Sequence, residues 1–172
     1  MKKNQADGKN SKLSNVQRKA LLAAYAQGYS MVQDEEPSFG FKKATVEALR
    51  SAGLIEPDPE ADEEGEFRAT AKGREALGVR LEPKPRGLKA AIERSLLAIF
   101  SESIASEIEF DKEERVRKGG TLTLYPPVMR YNDLDEEIHW TAVQTMIVDL
   151  GWPVEMDWTT GNGTVLVTLL DE

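Results

Sequence analysis

The chain has 172 residues, 40% hydrophobic and 30% charged, enough for one ordinary domain or two small ones around a buried core. Thirty acidic against 22 basic residues leave a net charge of −8, which argues against a protein that coats nucleic acid by charge alone. The absence of cysteine excludes disulfides, thiolate zinc and cysteine nucleophiles, and the single histidine excludes any metal site that needs two.

Charge is unevenly placed. Residues 1–55 carry nine basic and five acidic residues, residues 56–82 carry four and nine, and residues 83–172 carry nine and sixteen. No apolar run approaches the ~20 residues of a membrane span. The first twelve residues have lysines but no apolar core of a secretory signal. A soluble cytoplasmic protein with no membrane partner is expected. Four domain-scale segments follow from composition: a polar, basic arm at 1–12, a first module at 13–79, a Pro- and Gly-containing linker at 80–87, and a second module at 88–172. The arm reads as a frayed terminus, with phosphate contact as the alternative.

Ser14 is placed to cap a helix in which Val16, Ala20, Leu21, Ala24 and Tyr25 fall at helical spacing, and Gly28 ends it. A second helix is expected from Lys42 to Ala52, with Ala44, Val46, Ala48 and Leu49 apolar and Gly53 at its left-handed end. Leu54 and Ile55 read as a short buried strand. The stretch EPDPEADEEG (56–65) cannot lie in a sheet centre, because of its prolines and its acid run. Glu66 to Thr70 returns as a strand, and Thr70 caps a short helix anchored by Leu77.

Helix, helix, strand, polar tip, strand, helix is the order of a winged helix. The segments TVEALRSAGLI (45–55) and FRATAKGREAL (67–77) resemble, in that order, the end of a recognition helix entering a wing and the exit from it in MarR-like winged helices. The resemblance covers residues 13–79 and implies a DNA-binding module. On the outward face of the second helix stand Lys42, Lys43, Thr45 and Arg50, suited to phosphates and guanine edges. Arg68 and Lys72 complete the expected DNA contacts. Two features depart from the family pattern. The segment 29–41 is short for a full scaffolding helix and contains Pro37 and Gly40. The wing tip carries Glu56, Asp58, Glu60, Asp62, Glu63, Glu64 and Glu66 without a base, which repels phosphate over a Debye length of ~8 Å. Asp58, Glu60 and Asp62 alternate like a calcium loop, but Glu63 stands where that loop needs glycine, so a solvated tip is preferred.

In the second module, Leu88, Ile92, Leu96, Ile99, Phe100, Ile104 and Ile108 are spaced by three, four and one residues, a long amphipathic helix that ends near Glu107 or runs on to Gly119. It either forms a dimer or packs on the following sheet. Thr121 to Tyr125 is a strand stopped by two prolines. Asp135 caps a helix carrying Ile138, Ala142, Val143, Met146, Ile147 and Leu150. Val154, Met156 and Trp158 alternate with Glu155 and Asp157 in a strand, a Gly-Asn-Gly turn follows, and Thr164 to Leu170 is the last strand. The fold class is therefore α+β: a winged-helix-like module, then a small α-β-α-β-β module with an antiparallel or mixed sheet covered by helices on one face.

Catalytic chemistry finds no constellation. Glu136 and His139 share a helix face at the spacing of a carboxylate–histidine metal pair, but no second pair completes it, so no metal and no cofactor is expected. There is no phosphate-cradling glycine loop and no nucleophile elbow. Trp140, Trp152 and Trp158 read chiefly as packing, yet their clustering makes a partner surface plausible. The expected function is a non-enzymatic, winged-helix DNA-binding protein: a homodimeric transcriptional regulator of phage or mobile-element type that binds double-stranded DNA. The alternative is an acidic adaptor or inhibitor that binds a protein through Glu60, Asp62, Glu63, Glu64, Trp140 and Trp158.

Overall fold

Ser14 opens the first helix with a reciprocal cap: its hydroxyl accepts from the Gln17 amide, and the Gln17 side chain accepts from the Ser14 amide, both at 3.1 Å. The computed structural model describes residues 13–27, 41–61, 65–111, 117–129, 131, 133–158 and 163–171. The basic arm, the residues 28–40 with Gly28, and the tip acids Asp62, Glu63 and Glu64 lie outside the described residues. The chain divides into two units, Met1–Val79 and Arg80–Glu172.

In the first unit, helix α1 (Asn15–Ala26) buries every residue from Ala20 to Ala26. A one-sided stripe would have left Leu22 and Ala23 exposed. They are buried because α1 meets α2 (Lys43–Ser51), the strand β2 (Phe67–Ala69) and α3 (Ala71–Leu77) on different sides, and its alanines permit close approach. Helix α2 turns Val46 and Leu49 inward. Gly53, at φ 75°, then redirects the chain, a conformation that costs other residues more than glycine. Strand β1 (Ile55–Pro57) pairs antiparallel with β2, matching Ile55 with Ala69, Glu56 with Arg68 and Pro57 with Phe67. The hairpin is short, and its ladder ends where the Asp58 amide donates to Glu66 O. Thr70 caps α3 and Gly78, at φ 84°, closes it.

In the second unit, α4 (Leu88–Ile99) buries Leu88, Ala91, Ile92, Ser95, Leu96 and Ile99. The Ser95 hydroxyl is satisfied by donating to Ala91 O at 2.8 Å. The expected long helix is corrected here: it breaks at Phe100, which is extended (φ −92°, ψ 164°), and Ser101 caps a separate helix α5 (Glu102–Glu107). The apolar spacing continues across the break, so it could not reveal it. A two-residue strand β3 (Glu109–Phe110) follows. Strands β4 (Thr121–Tyr125), β5 (Val154–Asp157) and β6 (Val165–Leu169) complete a sheet of order β3-β4-β6-β5, antiparallel throughout. Helix α6 (Asp133–Asp149) begins at Asp133, two residues before the expected cap, with Asp133, Asp135 and Glu136 in the first turn, where the helix dipole favours acids. It packs on both α4 and β5, so its apolar residues are not confined to one stripe. Residues Leu122, Leu124, Val154, Met156, Val165, Val167 and Leu169 form the covered face of the sheet. The second unit is thus an α+β module with its helices on one sheet face. Residues 80–87 are not a loose spacer: Arg94 Nη1 donates to Arg80 O and Pro83 O.

Candidate nucleic-acid interface

The segment Thr70-Ala-Lys-Gly73 stitches the start of the hairpin to α3. The Thr70 amide donates to Leu54 O at 3.0 Å, its hydroxyl donates to Gly53 O at 2.6 Å, and the same oxygen accepts from the Gly73 amide at 3.0 Å. Gly73 has no side chain because there is no room for one: a Cβ there would lie 2.1 Å from Leu54 O and 3.1 Å from Leu21 Cδ1. This arrangement fixes where α2 ends and at what angle the hairpin leaves it. It gives the Thr-x-Lys-Gly pattern a structural meaning independent of any ligand.

The six residues expected to meet DNA fall into two groups. Lys42, Lys43 and Arg50 are exposed on α2 or at its start, and Thr45 is half-buried. Their field is not uniformly positive, because Glu47 stands one turn from Lys43 with a nitrogen–oxygen separation of 3.9 Å. The Arg50 guanidinium lies over the Phe67 ring, 5.3 Å from its centre. The other two are engaged within the unit. Arg68 Nε donates to Glu56 Oε1 at 2.8 Å across the hairpin. Lys72 Nζ donates to Ala52 O at 2.9 Å, satisfying a carbonyl at the end of α2. Both were expected to reach DNA; each has an internal partner, while Lys72 stays exposed and Arg68 half-exposed. Glu56 and Phe67 were not singled out as partners, since cross-strand register brings Glu56 to Arg68 and the packing of α2 on the hairpin brings Phe67 to Arg50.

The candidate partner surface is also redrawn. Glu60 is exposed, in a turn where its amide donates to Asp58 Oδ1 at 3.0 Å. Trp140 is completely buried, so it serves the core and offers no surface to a partner. Its indole N–H has no hydrogen-bond partner among the described residues. Trp158 is half-buried at the end of β5. His139 packs among aromatic rings. Its ring lies against Tyr131 (4.6 Å between centres, 15° between planes) and Phe100 (5.3 Å, 20°), which also lie 6.5 Å from each other, and Nδ1 lies 2.6 Å from Asp135 O. Among the described residues, no group of three or more histidine, aspartate and glutamate side chains is placed to hold a metal ion. No described helix is long and apolar enough to cross a membrane.

No protein-family model matches this chain, and neither the curated proteins nor the solved structures contain a significant match to it.

Proposed function

We propose that the first unit is a winged-helix module that binds double-stranded DNA through α2, and that the protein regulates transcription. The supporting observation is the outward placement of Lys42, Lys43 and Arg50, while Val46 and Leu49 anchor the opposite side of the same helix. Lys43 and Arg50 are separated by about 10 Å along the helix axis, a spacing that spans about three base pairs. Glu47 between them lowers non-specific attraction and is a suitable acceptor for a cytosine amino group. The internally bonded Arg68 and Lys72 leave few cations for phosphates. Binding therefore depends on base contacts more than on charge, and a homodimer would set two such helices on a two-fold site.

The test is fluorescence anisotropy on labelled duplex DNA across a salt series. The wild type should bind at low salt, with a shallow dependence of log affinity on log salt, of slope about −3 or less in magnitude. The double variant Lys42→Ala, Lys43→Ala should bind weakly, and adding Arg50→Ala should abolish binding. No binding at low salt, or binding indifferent to these substitutions, overturns the reading.

One observation favours a second reading. The hairpin turns Glu56 onto Arg68 and carries Asp58 and Glu60 beyond it, which suits a basic protein surface better than a phosphate backbone. On that reading the chain is an adaptor or an inhibitor of a protein, and a pull-down by the full chain replaces the DNA titration.

A further inference from the structure

The sheet of the second unit has one face covered by helices and one face left to solvent. Strand alternation sorts its residues. Outward on the central strands stand Thr121, Thr123 and Tyr125 of β4, and Leu166 and Thr168 of β6. A 3.1 Å contact between the Thr121 and Thr168 hydroxyls fixes both on this face. Outward on the β5 edge stand Glu155 and Asp157, which pair with Thr168 and Leu166. At the other edge Glu109 pairs with Tyr125, and the following Asp111 extends the ladder through its amide to Thr123 O. The four strands contain no lysine or arginine. The face is thus a threonine and apolar stripe between two acidic rims, about 14 Å apart at three strand spacings.

Two further observations say what kind of partner fits. First, the stripe is apolar at one end, where Tyr125 is 45% exposed. Second, the sheet edges resist an added strand. The outward amide of Met156 on β5 is taken by Gln144 Oε1 at 3.1 Å, and β3 has only two residues. A partner must then lie across the face instead of extending the sheet. A helix, 10–12 Å in diameter with side chains, fits between the rims. The rims repel polyanions, which excludes DNA and acidic lipid from this surface.

We propose that the open face of the β3-β4-β6-β5 sheet docks a basic amphipathic helix of a partner protein. The narrow apolar stripe of that helix rests on Leu166 and Tyr125, and its flanking lysines or arginines meet Glu155 and Asp157 on one side and Glu109 and Asp111 on the other. Charge complementarity gives the pairing its orientation and its association rate.

The experiment titrates the full chain into a fluorescent synthetic helix with leucines on one stripe and lysines on both flanks. A scrambled peptide of the same composition and a glutamate-flanked version serve as comparisons. The lysine helix should bind, the scramble should bind at least about tenfold more weakly, and the glutamate version should not bind. The double variant Glu155→Lys, Asp157→Lys should weaken binding by about tenfold and Tyr125→Ala by about threefold. The charge-matched control Glu93→Lys, Glu102→Lys, on exposed helix positions of the same unit, should leave it within about twofold. Amide shifts of the wild-type protein on titration should cluster at Thr121–Tyr125 and Val165–Leu169, which guards against variants that fold poorly. Equal binding of the scramble, an equal loss in the control, shifts confined to the helices, or no binding at low salt would each overturn the proposal.

Discussion

At the scale of single residues, the glycines show how one missing atom can position an element. Gly73 and Gly78 both belong to α3 or its end, but they are glycine for different reasons. At Gly73 a Cβ would sit 2.1 Å from the backbone oxygen of Leu54, whereas at Gly78 it would meet nothing within 4 Å and the demand is the positive φ of 84°. Gly73→Ala should therefore destabilise the protein by about 2–4 kcal/mol through forced backbone separation. Gly78→Ala should cost only about 1 kcal/mol of backbone strain. Urea unfolding midpoints of the two variants check the difference, and equal losses would show that close packing is not what Gly73 provides. Among the charged residues, the half-exposed pair of Arg68 and Glu56 contributes little stability. Its consequence is local: it couples the two strands of the hairpin at Glu56 and Arg68.

At the scale of elements, the short motifs succeeded where the interactions are local. Ser14 with Gln17, Thr70 with Gly73, and Gly53 after α2 are caps and turns whose physics spans three or four residues, so the helix starts and the first turn were legible. The helix of 88–107 failed for the same reason in reverse. Its apolar spacing is continuous across Phe100 and so hides the break; there Phe100 packs against the rings of His139 and Trp140, 5.3 Å and 4.9 Å away by ring centre, and Ser101 caps a new helix by accepting from the Ile104 amide. The edge of the sheet is another element-scale device. Gln144 reaches from α6 to the Met156 amide, occupying a donor that an exposed edge would offer to a neighbouring chain. Gln144→Ala should speed hydrogen exchange at the Met156 amide and increase self-association at high concentration, read by exchange mass spectrometry and light scattering. Unchanged exchange would show that another group protects the edge.

At the scale of the whole molecule, the chain is two units that meet in sequence between Val79 and Arg80. The Pro- and Gly-containing stretch after that point looks like a flexible spacer in composition alone. Arg94 holds it instead, through the carbonyls of Arg80 and Pro83. Arg94→Ala should release the segment and accelerate trypsin cleavage after Arg80 and Arg86, with little change at other sites. Cleavage at the wild-type rate would mean that the segment is held by other contacts. The two proposals also separate at this scale. DNA binding is assigned to α2 in the first unit, and partner docking to the sheet in the second, so each variant set tests one without disturbing the other.

The sequence alone determined the α+β class, the helix–helix–hairpin–helix order of the first unit, the caps, the strand alternation at 154–157 and the exposed cations of α2. These follow from periodicity and from bonds between near neighbours. Tertiary structure decided the rest. It buried Trp140 completely, bonded Arg68 to Glu56 and Lys72 to Ala52, set His139 against the rings of Tyr131 and Phe100, and left one sheet face acid-rimmed and open. Each of these depends on register or packing between residues far apart in the chain, and local spacing carries no record of which distant partner arrives.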